Sequence, residues 1–177
     1  MALSYADIKA GNIFIGSTAV AGVALPISTG TAVTLALWNT SVNRNASLLG
    51  VAFGYTSGTI ALGEFGIANQ FVGSATGTGA PLAAATPGTP KNAFLGSGLA
   101  SSMTFIPATA TLTAGGTAAM WLGKSIESAT AGLGIFDGYV PLDVPLVLPP
   151  GQIAFLCGSV AQTGLFTGSL VWREELN

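Results

Sequence analysis

The chain contains no histidine and a single cysteine, Cys157. Histidine is the side chain most used for acid–base work and metal binding near neutral pH, so Ser-His-Asp and Cys-His catalytic arrangements are excluded. One cysteine cannot form an internal disulfide, so the sequence gives no sign of an oxidising compartment. Catalysis would therefore depend on carboxylate pairs. The candidates for such a pair are four of the acidic residues, Glu64, Glu127, Asp137 and Asp143, and no spacing pairs them. We predict a protein that is not an enzyme, with no catalytic residues, no cofactor and no metal.

Charge is scarce as well. Five basic and seven acidic side chains make up 7% of the 177 residues and leave a net charge of −2, whereas an average soluble domain is about 25% charged. A nucleic-acid partner requires clustered Lys and Arg to neutralise phosphates. The basic residues are scattered along the chain, at Lys9, Arg44, Lys91, Lys124 and Arg173. We therefore predict no nucleic-acid partner.

Hydrophobic residues make up 50% of the chain, but they do not form a membrane helix, which needs about 20 consecutive apolar residues. The charge-free stretch 10–43 is broken repeatedly by glycine, proline, serine and threonine. Its start, interrupted at Gly11-Asn12, also lacks the continuous apolar middle of a signal peptide. The sequence predicts no membrane partner and does not support export.

Short apolar runs with period-two alternation dominate the chain. In residues 32–38, Val33, Leu35 and Leu37 are predicted on one face of a strand. Gly115-Gly116 predicts a hairpin between strands 108–113 and 117–122, and residues 124–130 are predicted to form one helical turn. About ten such segments separated by Gly/Pro turns indicate an all-β fold, an antiparallel β-sandwich or jelly roll. The other predicted strands include 13–15, 47–55, 64–72, 102–106, 133–136, 144–148, 153–157 and 165–172.

The predicted organisation is an N-terminal arm, residues 1–10, followed by one β-sandwich domain, residues 11–177. A long Gly/Ala/Pro-rich segment, residues 73–98, is predicted to protrude as a loop, because long connections within compact domains are uncommon and tend to be functional or disordered. The arm has two interpretations that the sequence leaves open: a frayed terminus or a segment that docks on a neighbour.

Candidate partner-binding residues come from the arm and from the three tryptophans. Tryptophan is enriched at interaction hot spots, although packing in the core or at its rim is the alternative for each indole. The candidates are Leu3, Tyr5 and Ile8 in the arm, and Trp38, Trp121 and Trp172 near strand ends.

Two blocks of the sequence resemble a family of proteins. The segments ALPIST (24–29), LALWN (35–39) and GYTSGT (54–59), with LPPG (148–151) and GSLVWREE (168–175) near the end, are similar to small jelly-roll structural proteins of tailed bacteriophages. Residues 40–45 depart from the resemblance, since a Pro/Gly-rich turn is expected there.

The resemblance implies a virion component made in the host cytoplasm. Its expected role is a capsid cement or decoration protein that forms homotrimers on the capsid surface and contacts the phage major capsid protein. The composition agrees, because a sandwich so poor in charge would expose apolar surface and unpaired strand edges that favour association. The alternative from another class is a carbohydrate- or receptor-binding module of a phage tail or fibre that uses the tryptophans.

Overall fold

The computed structural model describes residues 5–73, 82–83, 86–127 and 138–177. These residues form one short helix and fourteen β-strands. In chain order the elements are α1 (Tyr5–Lys9), β1 (Ile13–Ser17), β2 (Val23–Ala24), β3 (Ala32–Val33), β4 (Ala36–Trp38), β5 (Arg44–Ser57), β6 (Gly63–Phe71), β7 (Leu82–Ala83), β8 (Lys91–Asn92), β9 (Thr104–Ile106), β10 (Ala110–Leu112), β11 (Thr117–Ile126), β12 (Gly138–Leu148), β13 (Gln152–Gly158) and β14 (Leu165–Leu176).

Two antiparallel sheets pack face to face. The first sheet has the order β12-β5-β14-β1-β8, with β2 added to β14, and the second sheet has the order β11-β6-β13-β4-β9. Strands distant in the chain pair in a nested way: β1 with β14, β4 with β13, β5 with β12, and β6 with β11. The prediction of an all-β antiparallel sandwich is confirmed.

The main core lies between these two sheets, and alternation along the strands builds it. On β14, the side chains of Phe166, Leu170 and Trp172 are buried. Trp172 lies between two phenylalanines, with its ring centroid 6.1 Å from that of Phe14 in the first sheet and 6.1 Å from that of Phe105 in the second. The indole therefore joins the two sheets at the centre of the sandwich.

A third, smaller sheet of order β3-β10-β7 accompanies the sandwich. Val33 of β3 and Leu112 of β10 belong to a second apolar cluster together with Ile153, Phe155 and Cys157 of β13. Ala154 and Leu156, the alternate residues of β13, belong instead to the main core. The second sheet is thus buried on both faces along this strand.

Residues 32–38 do not form the single strand that their alternation predicts. The segment divides into β3 and β4, which belong to different sheets, and Leu35 between them has a positive φ of 46°. Val33 consequently packs in the second cluster, whereas Leu35 and Leu37 pack in the main core. The predicted common face of these three residues is wrong because the backbone turns at Leu35.

Gly115-Gly116 is not a hairpin turn either. The strand before it, β10, lies in the third sheet and the strand after it, β11, pairs with β6 in the second. A Cβ on Gly115 would collide with the carbonyl oxygen of Thr29, and one on Gly116 would lie 2.7 Å from that of Ser28. The lack of a side chain at these two glycines allows two chain segments to approach closely. This close approach, and not a hairpin, is why glycine is required at both positions.

The helical turn predicted for residues 124–130 is also wrong where it is described, because β11 continues to Ile126. Residues 128–130 and the strand predicted at 133–136 lie outside the described residues.

The segment 73–98 is not a free loop over its described part. β7 pairs with β10, and β8 pairs with β1 at the edge of the first sheet. Gly88 also donates a backbone hydrogen bond to the carbonyl of Phe105, with a length of 2.8 Å. Two short strands thus attach the described part of this segment to the sheets, and most of its other described residues lie outside strands. Residues 74–81 and 84–85 lie outside the described ones.

Candidate interaction surfaces

The predicted arm residues are described only in part. Leu3 lies outside the described residues, as does the side chain of Tyr5, whose backbone begins helix α1. Ile8 lies in this helix and is half-buried. The helix ends at Lys9, and Gly11 follows two residues later, where its N–H donates to the carbonyl of Ile8 and its φ is +73°, a conformation that favours glycine.

The three tryptophans have three different environments. Trp172 has an exposed fraction of 0%, so the structure assigns it to the core rather than to a partner surface. Trp38 is half-buried against the second cluster, and its Nε1 donates to the carbonyl of Gly73 at 2.9 Å. Trp121 is 42% exposed on β11 and covers Gly66, where a Cβ would lie 2.6 Å from the indole Cε3. Of the three, Trp121 is the tryptophan most open to a partner.

An exposed apolar surface lies beside the arm. Phe94, Leu95 and Leu99, which we call the arm patch, are 46%, 80% and 55% exposed. The chain holds this patch against the end of the arm, because the Nδ2 of Asn92 donates to the carbonyl of Gly11 at 2.6 Å. The segment 73–98 therefore contacts the chain directly after the predicted arm, at Gly11.

The opposite edge of the first sheet carries a second exposed apolar surface. Tyr139, Val144 and Val147 of β12, which we call the edge patch, are 49%, 71% and 58% exposed. Asp143 is exposed between them. The register of β12 on β5 shifts between Pro141 and Leu146, so this part of the strand departs from regular pairing. The edge patch thus offers exposed side chains to a partner, and not a regular strand edge to which another strand could add.

All four edges of the two large sheets are short or irregular. β12 carries Pro141 and Pro145 together with its register shift, and β11 has two register shifts against β6. The remaining edges, β8 and β9, have two and three residues. Prolines, bulges and short strands are features that prevent edge-to-edge pairing. In the described residues these edges are unpaired, as expected, but their prolines, bulges and short lengths disfavour the addition of another strand, so association would depend on side-chain surfaces.

A groove of about 440 Å³ lies on the outer face of the first sheet. The Tyr139 ring forms part of it and lies across Gly50, where a Cβ would come within 2.6 Å of the ring. Burial raises the pKa of the Tyr139 hydroxyl. Four further hydroxyl side chains, Ser17, Thr18, Thr167 and Ser169, share the lining with apolar residues such as Val20 and Phe53. The Oγ atoms of Ser17 and Ser169 are 2.7 Å apart. The described lining is uncharged, so the groove offers no charged group to bind an ionic ligand.

A buried carboxylate joins the last strand to the start of β9. Glu174 is 2% exposed, and its oxygens accept hydrogen bonds from the Ser101 hydroxyl, the Ser102 N–H and the Trp172 Nε1. The Ser102 N–H lies 3.0 Å from Oε2 and the Trp172 Nε1 lies 3.2 Å from Oε1. Neutral donors thus satisfy this carboxylate, and its role in the structure is to hold residues 101–103 on β14.

Cys157 is buried in the second apolar cluster. Burial raises the pKa of its thiol from 9.0 to about 12, so the thiol stays protonated and unreactive at neutral pH. Cys157 therefore packs as a small hydrophobic side chain.

No metal-binding group of three or more histidine, cysteine, aspartate or glutamate side chains is present in the part of the chain that the structure describes. Within the same residues, no helix is long and apolar enough to cross a membrane. Comparisons of the chain with protein-family models, curated proteins and solved structures find no match.

The sequence-based reasoning did not select the residues that form the two exposed patches. Phe94 and Leu95 are the large apolar pair in a segment otherwise rich in Gly, Ala, Ser and Thr, and that contrast could have identified them. No feature of the local sequence could have identified Tyr139. Its position on the outer face of the first sheet follows from its pairing with Ala52 of β5, which the sequence alone does not show.

Proposed function

We propose that this protein is a non-enzymatic structural component of a tailed-phage particle. Its role would be that of a capsid cement or decoration protein, located in the virion, that forms homotrimers and binds the major capsid protein. The resemblance of its two sequence blocks to small jelly-roll phage proteins supports this assignment, and the pairing of the strands and the distribution of exposed apolar side chains add to it.

The nested strand pairing supports a jelly roll as the finer description of the sandwich. A jelly roll is an eight-stranded double sheet built from two Greek keys, and it is obtained when one long hairpin of eight strands is rolled up. Such a hairpin pairs its first strand with its eighth, its second with its seventh, and so on inward. The four pairs β1–β14, β4–β13, β5–β12 and β6–β11 follow this rule.

The two resembling blocks pack together through one buried side chain. Asn39, which ends the segment LALWN, donates from Nδ2 to the carbonyl of Leu148 at 2.8 Å. Its own backbone carbonyl accepts from Gly151 at 2.8 Å, at the end of the segment LPPG. Segments far apart in sequence thus form one structural unit, as expected if the resemblance reflects a common fold.

The proposal rests on one combined observation. The chain has few charged residues, and it exposes two apolar patches at opposite edges of one sheet. Exposed apolar clusters on a soluble domain mark surfaces that bind other proteins. Because the strand edges are protected, the arm patch and the edge patch are the surfaces through which such a protein would bind neighbours.

The test is imaging of the phage particle that carries the protein, combined with removal of the arm. Deletion of residues 1–10 is expected to lower the occupancy on the capsid while thermal unfolding stays cooperative, because the sandwich begins at β1. Leu62→Ser is a matched control, since Leu62 is exposed but outside both patches. Absence of the protein from the capsid surface would contradict the proposal, whereas unchanged occupancy would remove only the arm from it.

A second candidate function is glycan binding by a module of a phage tail or fibre, and the exposure of Trp121 favours it. An indole that lies flat on a sheet with one side in solvent can stack on a sugar ring. Glycan-array binding that is lost in Trp121→Ala and kept in Trp38→Ala would support this function. An array without any binding would contradict it.

A further inference from the structure

We propose that copies of this chain associate head to tail, with the arm patch of one copy against the edge patch of the next. This inference rests on the self-association included in the proposed function and specifies its interface. The occupant of each patch is therefore a second copy of the same chain.

The two patches lie at opposite edges of the first sheet. The arm patch follows β8, and the edge patch lies on β12, at the two ends of the strand order of the first sheet. Four strand spacings of about 4.8 Å separate these edges by about 19 Å. One copy therefore cannot bring its own patches together, and a contact between them requires two molecules.

The patches are complementary in charge. Lys91 is exposed on β8, three residues before the arm patch begins at Phe94. On the other edge, exposed Asp143 lies next to Val144 in the edge patch. Two copies of the arm patch would bring lysines together, and two copies of the edge patch would bring aspartates together. The contact of unlike patches pairs opposite charges around an apolar centre, as interfaces generally do.

The protected strand edges exclude the simpler contact, in which β12 of one copy adds to the sheet of another. Pro141 and Pro145 remove backbone donors from this edge. The contact must therefore be made by side chains. A contact between two different surfaces is heterologous, and it forms a closed ring when the rotation from copy to copy closes. The proposed homotrimer requires a rotation of about 120° from copy to copy at this contact.

The experiment measures the mass of the full-length protein in solution by light scattering, using charge reversal on each edge. Wild type is expected at three times the chain mass of 17.5 kDa. Lys91→Glu and Asp143→Lys each place like charges across the contact and are expected to raise the dissociation constant at least about tenfold. The double variant restores opposite charges and is expected to recover the trimer. Both side chains are exposed, so folding should be unaffected, which circular dichroism checks.

Two further measurements make the result specific. Glu175→Lys reverses an exposed charge on the central strand β14 and is expected to leave the trimer intact. An equal mixture of the two single variants is not expected to recover the trimer, because three chains cannot alternate around a ring and at least one contact would place like charges together. A wild-type trimer that neither single variant weakens would overturn the head-to-tail contact and leave the proposed function standing. A monomeric wild type would overturn both.

Discussion

The two large sheets differ in how their faces are covered. In the first sheet, β14 alternates between buried residues such as Leu170 and partly exposed ones such as Val171, because its outer face is open. In the second sheet, the last six residues of β13 are all buried, since the first sheet covers one face and the third sheet contributes to the cluster on the other. The comparison teaches that the apolar content of a strand depends on how many layers it contacts, while the alternation shows only where one face is free.

The largest expected effect is at the contact between the two sheets. Trp172→Ala removes the indole that stacks on both Phe14 and Phe105, and truncation of so large a core side chain destabilises by about 4 kcal/mol. Urea unfolding measures this loss. The half-buried Trp38, which packs only against the second cluster, is the matched comparison, and Trp38→Ala should cost less. Equal losses of stability in the two variants would show that the contact of Trp172 with Phe14 and Phe105 stabilises the sandwich no more than the packing of Trp38 does.

A smaller effect is expected at the polar link between the sheets. Glu174→Ala leaves the donors of Ser101, Ser102 and Trp172 without their acceptor, and buried unpaired groups cost about 1–3 kcal/mol each. We expect a loss of about 3 kcal/mol in the free energy of unfolding. Glu175→Gln is the control, because that exposed side chain makes only a surface ion pair with Arg173, whose contribution is about 0–1 kcal/mol. Losses of similar size in the two variants would contradict the structural role given to Glu174.

The third effect concerns the second cluster; it is absent at neutral pH and appears only in alkaline solution. Burial raises the pKa of the Cys157 thiol from 9.0 to about 12. Above pH 9 the unfolded chain releases this proton while the folded chain keeps it, so the free energy of unfolding falls as the pH rises from 9 towards 12. The slope from one group is about 1.4 kcal/mol per pH unit. Cys157→Ala should lose this slope while keeping the part due to Tyr139, whose hydroxyl pKa burial also raises. An identical pH dependence in both chains would mean that the thiol is not buried as described.

The sequence predicted the regular parts of this fold well. The alternation in residues 47–55 and 165–172 corresponds to the long strands β5 and β14, which pair with each other over most of their length. The alternation of apolar and polar residues predicts these strands correctly because one face of each strand is open to solvent. The strands extend further than predicted because their polar ends, such as Arg44, still pair in the sheet.

The sequence could not predict where the chain changes sheets. The turn at Leu35 occurs within an unbroken apolar alternation, because both halves of the segment are buried, but in different clusters. Gly115-Gly116 has the local pattern of a hairpin and instead allows contact with residues distant in sequence. The exposed patches could not be predicted for the same reason. The exposure of Phe94 or Tyr139 depends on which strands lie next to them, and the local sequence pattern does not show this.

The most direct test of the central claim is the mass of the wild-type protein in solution, measured by light scattering over a range of micromolar concentrations. The account predicts a stable species of three chains, each of 17.5 kDa, which dissociates when the arm patch or the edge patch is charge-reversed. A species of one chain at every concentration would contradict it.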